Sequence, residues 1–130
     1  MNGFQLPGVY NVRMPVSVEI EKLPGGTAVV TMQGSVTLGT SLSLADSQIY
    51  RTIADGVTKM VIDLTGVDYV DSAGLGMLVY AYGTLNEKQG TLRLFGVAPR
   101  VLSLPKMTKT DTFLVVDSSR EDSLAELGKV

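Results

Sequence analysis

Hydrophobic positions along the chain change their spacing several times, and each spacing predicts an element. In "VSVEIEKL", Val16, Val18 and Ile20 alternate with polar residues, which is the period of a strand with one face in a core. The turn residues "PGG" follow, and an apolar run over residues 28–32 completes a predicted hairpin. Over residues 41–56 the spacing becomes three and four and the segment ends in glycine, which predicts a helix.

The middle of the chain predicts a buried strand followed by a helix. "KMVIDL", residues 59–64, is a continuous aliphatic run typical of a strand covered on both faces, so we expect this strand to be central. Residues 72–89 predict a helix that Gly90 ends. Its apolar stripe is Leu75, Leu78, Val79, Tyr82 and Leu85. We expect "DYVDSAGLG" to form a short loop at the C-terminal end of the strand, where α/β sheets tend to place their sites.

The last third of the chain predicts two more strands and two more helices. "TLRLFGV" and "FLVV" are apolar runs of strand length, and Pro99 suits the first turn of a short helix between them. "SSREDSLAEL" contains a capping-box pattern ahead of a final helix, formed either by Ser118 with Glu121 or by Ser119 with Asp122.

The order of predicted elements is ββαβαβαβα, which predicts an α/β fold. We expect a mixed sheet of about five strands with about four helices packed on it. The chain has 130 residues, enough for one domain with its own core, which we place at residues 16–127. Residues 1–15 contain two prolines and little periodicity, and are predicted to be an N-terminal arm.

Composition excludes several classes of chemistry. The chain has no histidine and no cysteine, which excludes a Ser-His-Asp triad, disulfides and thiolate metal sites. A net charge of -2 without a run of Lys or Arg argues against direct nucleic-acid binding. The N-terminus lacks the pattern of a signal peptide and no segment approaches the ~20 apolar residues of a membrane span, so we expect a cytoplasmic protein without membrane insertion.

The sequence also argues against an enzyme. It contains no phosphate-binding loop and no complete dinucleotide fingerprint, and Asp63, Asp68 and Asp71 lack the spacing of metal ligands. We therefore expect no catalytic residue, no metal and no cofactor.

The stretch "VDSAGLG" carries the candidate site. Asp71 or Ser72 can cap the predicted helix, and this role alone would explain the pair. Gly74 and Gly76 each lower helix propensity by about 1 kcal/mol relative to alanine, which close approach of another backbone would explain. The face opposite the apolar stripe is small and partly aromatic: Ala73, Met77, Tyr80 and Thr84. It is either a docking surface or a surface covered by residues 1–15 or a loop.

"VIDLTGVDYVDSAGLG" resembles the phosphoacceptor loop of bacterial anti-sigma factor antagonists, the single-domain members of the STAS family. The order of elements over residues 16–127 is similar as well. The resemblance implies that an anti-sigma factor with kinase activity phosphorylates Ser72. It also implies that the unmodified protein binds this kinase and frees its sigma factor, and that phosphorylation switches the binding off. The residues it implies at the partner interface are Asp71, Ser72, Ala73, Gly74, Gly76, Met77, Tyr80, Ser35 and Thr37.

Three departures from the family pattern weaken these implications. Family members usually carry Gly, an acid, an aliphatic residue and Asp after the second strand, whereas this chain has "GSVT" at residues 34–37, with Ser35 and Thr37 in place of the acids. Pro105 should end the third helix early. The arm has no counterpart and could cover the docking face. The missing acids favour an alternative, a phosphorylation-independent STAS scaffold subunit, for example of a membrane lipid-transport ATPase, in which Ser72 only caps the helix. The sequence leaves the oligomeric state open.

Overall fold

A computed structural model of the protein describes residues 14–97, 115–117 and 119–127. These residues form five strands and three helices. In chain order they are β1 (Ser17–Leu23), β2 (Thr27–Val36), α1 (Thr40–Ala54), β3 (Lys59–Val70), α2 (Ser72–Glu87), β4 (Thr91–Phe95), β5 (Val115–Asp117) and α3 (Arg120–Leu127).

The strands form one sheet in the order β1-β2-β3-β4-β5, with β1 antiparallel to β2 and all other neighbours parallel. The predicted α/β class, the mixed sheet and the central position of β3 are therefore confirmed. The predicted number of elements does not match exactly, since the described residues contain three helices rather than four. The short helix predicted from Pro99, including Pro105, lies outside the described residues, as do residues 1–13 of the arm.

Burial on both faces explains the continuous aliphatic run in β3. Ile62 belongs to the main core, which α1 and α2 cover, whereas Val61 belongs to a second cluster with Leu127 of α3. Both side chains are fully buried. Because alternate residues of a strand point to opposite faces, a strand packed on both sides needs an apolar residue at every position.

The strand β3 is longer than the sequence predicts. It continues to Val70, and its pairing with β2 shifts register twice. Asp68 and Tyr69 therefore belong to the strand, and the connection to α2 is Asp71 alone. The expectation that "DYVDSAGLG" forms a short loop was wrong, because "TGVDY" breaks the aliphatic pattern while its backbone still pairs with β2, and α2 begins directly after Asp71.

The helix ends differ from the predicted bounds for local reasons. Helix α2 ends at Glu87, and Gln89, with φ 58°, takes the left-handed conformation that Gly90 was expected to supply. Gly90 has another role, because a Cβ there would collide with the Thr58 carbonyl oxygen. At α3 the second of the two capping patterns is present: the Asp122 N–H donates to Ser119 Oγ at 3.0 Å.

The last residues of the predicted arm lie against β2. The Ser35 N–H donates to the Met14 carbonyl at 2.9 Å, and Pro15 forms an isolated bridge with Ser35. Met14 and Pro15 therefore lie beside Ser35, near the C-terminal end of β2. None of the helices in the described ranges is long and apolar enough to cross a membrane.

Candidate functional site

The candidate site lies where β2 and β3 end and α2 begins. These strands are parallel neighbours, so their C-terminal ends share one edge of the sheet, and Val36 pairs with Val70 at that edge. The Asp71 N–H then donates to the Val36 carbonyl at 3.2 Å, which extends the pairing by one residue. Helix α2 therefore starts beside the loop that connects β2 to α1.

Asp71 is the residue that caps α2. Its Oδ1 accepts a hydrogen bond from the Gly74 N–H at 2.8 Å, and its backbone has the extended conformation of an N-cap. Its Oδ2 accepts a second bond from the Leu38 N–H at 2.9 Å. One carboxylate thus joins the start of α2 to the loop after β2. The sequence allows either Asp71 or Ser72 to cap this helix, and in the structure Asp71 is the cap.

Ser72 is the first helical residue and is exposed. Because Asp71 already caps the helix, capping does not account for a serine at this position. Its position at the N-terminus of a 16-residue helix places the hydroxyl where backbone N–H groups and the helix dipole favour an added anion.

The two glycines that follow Ser72 differ in their surroundings. A Cβ on Gly74 would collide with the Val36 carbonyl oxygen and would lie 2.8 Å from Val36 Cγ1. Close approach to another backbone, as the sequence suggests, therefore explains Gly74. A Cβ on Gly76 would meet no atom within 4 Å. Gly76 is exposed, so internal packing does not account for it.

The exposed face of α2 is narrower than the sequence predicts. Ser72, Gly76 and Tyr80 follow one another at intervals of four residues and are exposed, with Tyr80 60% exposed. Met77 is only 6% exposed and belongs to the main core, so its assignment to this face was wrong. The helix turns about 100° per residue, which directs position 77 toward the sheet. Ala73 is partly buried against the same core.

The two positions after β2 behave differently from each other. Ser35 is 2% exposed, and its hydroxyl donates to Asp68 Oδ1 at 2.9 Å. Thr37 is partly exposed in the loop that leads to α1. The buried residues among those proposed to contact a partner are Ser35, Gly74 and Met77. Their direct contact with a partner stays a prediction, whereas their structural roles are visible.

Two large apolar side chains near the site were missed by the sequence analysis. Leu38, in the loop after β2, is 80% exposed, and Tyr69, next to the end of β3, is 41% exposed. Leu38 could have been found, because it is an apolar residue beside Gly39 that lies between the apolar run of residues 28–32 and the helix predicted over residues 41–56. Tyr69 could not be found because the predicted strand stopped at residue 64.

The two described segments that form the site carry no positively charged side chain. Residues 31–50 and 64–87 contain no Lys or Arg, although they include the carboxylates of Asp68 and Asp71. Within the part of the chain that the structure describes, no group of three or more acidic, histidine or cysteine side chains could hold a metal ion. The surface therefore combines exposed apolar side chains, a hydroxyl and local negative charge.

Comparison with known proteins identifies the family. The model of the STAS domain matches residues 17–123. The chain belongs to the STAS domain family. Among its STAS relatives is the anti-sigma-B factor antagonist of Listeria monocytogenes serovar 1/2a, 30% identical over 95 residues that cover 73% of this chain and 82% of the relative.

Solved STAS structures share the fold. The anti-sigma factor antagonist SpoIIAA in its unphosphorylated form has a TM-score of 0.76 at 16% identity, over 88% of this chain and 98% of the other. The Bacillus cell fate determinant SpoIIAA in the phosphorylated form has a TM-score of 0.68 at 14% identity, over 85% and 98%. The predicted STAS fold is confirmed, as is the resemblance to anti-sigma factor antagonists.

Proposed function

We propose that this STAS protein is a cytoplasmic anti-sigma factor antagonist that binds an anti-sigma factor with kinase activity and is switched off by phosphorylation of Ser72. The observation that carries the proposal is the division of roles at the start of α2. Asp71 caps the helix and Ser72 is exposed beside it, so the serine hydroxyl is not needed as the cap and is accessible for modification.

The unmodified surface suits docking of another protein. Leu38, Tyr69 and Tyr80 offer apolar and aromatic contact area around Ser72, and aromatic side chains are enriched at protein interfaces. Gly76 has no side chain to hold a partner away from the helix. Binding here would occupy the anti-sigma factor and release its sigma factor.

Phosphorylation would change this surface mainly through charge. In the proposed reaction Ser72 Oγ receives the γ-phosphoryl group of ATP held by the partner, ADP leaves, and the surface gains about two negative charges. Asp71 is adjacent, Asp68 is close in sequence, and the flanking segments supply no Lys or Arg to neutralise the phosphate. The helix N-terminus stabilises a nearby anion by about 1 kcal/mol, so the modified domain stays folded while its docking is lost.

The relatives support this proposal over the scaffold alternative. The Listeria relative is an anti-sigma-B factor antagonist, and SpoIIAA occurs in unphosphorylated and phosphorylated forms. Positions 35 and 37 lack the acids that the family usually has there. The Ser35 hydroxyl partly replaces them, because it holds the Asp68 carboxylate at this edge of the sheet.

Affinity capture from host lysate tests the proposal. Tagged wild type and Ser72→Ala are expected to retain one small kinase-like ATPase, and Ser72→Asp is expected to lose it. Ser47→Asp is a matched charge control, since Ser47 is an exposed serine on α1 rather than at the start of α2. Purified kinase with ATP should phosphorylate wild type and not Ser72→Ala. Retention of the same membrane ATPase by all forms would instead support the scaffold function.

A further inference from the structure

Asp71 connects two segments that are distant in the sequence but adjacent at the site. Its Oδ1 accepts from the Gly74 N–H in α2, and its Oδ2 accepts from the Leu38 N–H after β2. We propose that Asp71 is a positioning residue that couples the charge on residue 72 to the loop at Leu38, so that phosphorylation of Ser72 releases residues 37 and 38 while Gly39 stays bonded to α1. The proposal rests on the proposed function for its biological role and on these hydrogen bonds for its geometry.

Competition for backbone donors supplies the coupling. A phosphate on Ser72, the first helical residue, would accept hydrogen bonds from the same N–H groups at the start of α2 that bind the Asp71 carboxylate. The two anions also repel each other, and neither residues 31–50 nor residues 64–87 contain a Lys or Arg that could bridge them. A carboxylate displaced from Gly74 also moves relative to Leu38, because both of its oxygens belong to one planar group.

The Leu38 loop is anchored to α1 at Gly39, whose carbonyl accepts hydrogen bonds from the Ser43 N–H at 3.1 Å and from Ser43 Oγ at 3.3 Å. The Leu38 side chain is 80% exposed, so its burial contributes little to holding the loop in place. Gly39 follows with φ 154° and, as the N-cap of α1, has no side chain that could cap this helix. The bond from the Leu38 N–H to Asp71 is therefore a main constraint on residues 37 and 38. Its loss would move an exposed apolar side chain of the docking surface.

Asp71→Asn separates the two bonds without any phosphate. Asparagine caps helices about as well as aspartate, but its amide group has only one oxygen acceptor. We expect this oxygen to keep the Gly74 bond, leaving an NH₂ donor opposite the Leu38 N–H. The variant should therefore release the loop while α2 stays capped.

Amide hydrogen exchange by NMR on the purified protein tests the coupling. Leu38 N–H exchange is expected to be at least about tenfold faster in Asp71→Asn, in Ser72→Asp and in protein carrying phosphoserine at position 72. Ser72→Ala should match wild type. The Leu75 N–H, bonded to the Asp71 carbonyl, and the buried Ile62 N–H serve as references for the helix and the global fold.

Unchanged Leu38 exchange in the phosphoserine protein, or in Asp71→Asn, would overturn the coupling. Equal acceleration of Leu38, Leu75 and Ile62 would also overturn it, because that pattern indicates global destabilisation. These measurements need no partner, so a failed capture experiment would refute the proposed function alone. Loss of capture by Ser72→Asp with unchanged Leu38 exchange would refute the coupling and leave the proposed function intact.

Discussion

Replacement of Gly74 by alanine tests the packing that sets the start of α2. The added methyl would collide with the Val36 carbonyl oxygen and lie 2.8 Å from Val36 Cγ1. Overpacking of this kind costs about 1–3 kcal/mol, and the upper end applies here because the obstacle is backbone that also accepts the Asp71 N–H. Alanine returns about 1 kcal/mol of helix propensity. We therefore expect the free energy of unfolding to fall by about 2 kcal/mol.

Thermal and urea unfolding, followed by circular dichroism, measure this effect. For a chain of this size a loss of 2 kcal/mol lowers Tm by about 8 °C. Gly76→Ala is the matched control, because its Cβ meets no atom within 4 Å and the same substitution should raise Tm by about 4 °C. A Gly74→Ala variant as stable as wild type would contradict this packing, since it would mean that α2 can move away from Val36 at no cost.

Further substitutions separate structural from docking residues. Asp71→Ala should lower the free energy of unfolding by about 1–2 kcal/mol in urea titrations, because it removes a cap and the bond to the Leu38 N–H. Met77→Ala should lower the free energy of unfolding by about 2–4 kcal/mol in the same assay, whereas Tyr80→Ala should lower it by less than about 0.5 kcal/mol. Equal losses would contradict the assignment of Met77 to the buried face and Tyr80 to the exposed face. Leu38→Ser should leave Tm nearly unchanged and weaken kinase binding at least about tenfold in calorimetry, and unaltered affinity would exclude Leu38 from the docking surface.

The fold could be predicted from the sequence because each element carries its own period. The alternation around Val18, the continuous run before Leu64 and the helical spacing after Ser72 predict strands and helices that the structure contains. The end of β3 could not be predicted, because residues 65–70 are held by pairing with β2 rather than by an aliphatic pattern. The left-handed conformation of Gln89 could not be predicted, because the neighbouring Gly90 is the residue type that usually takes this conformation at a helix end.

The site was predicted at the level of the motif but not of the individual side chains. The sequence identifies Asp71 and Ser72, yet only the three-dimensional neighbours show that Asp71 caps the helix and also binds Leu38. Met77 was placed on the wrong face because every residue outside one apolar stripe was assigned to the exposed face. The buried residues of α2 cover a wider part of the helix circumference than that stripe. The phosphorylation of Ser72 and the partner contacts stay predictions.

In the proposed function, charge at Ser72 controls docking on the face formed by Ser72, Gly76 and Tyr80. The most direct measurement is the Kd of the captured kinase, by calorimetry, for unmodified protein and for protein carrying phosphoserine at position 72. The proposed switch predicts at least about 100-fold weaker binding of the phosphorylated form, with Tm within a few degrees of wild type. Equal Kd values for the two forms would contradict it.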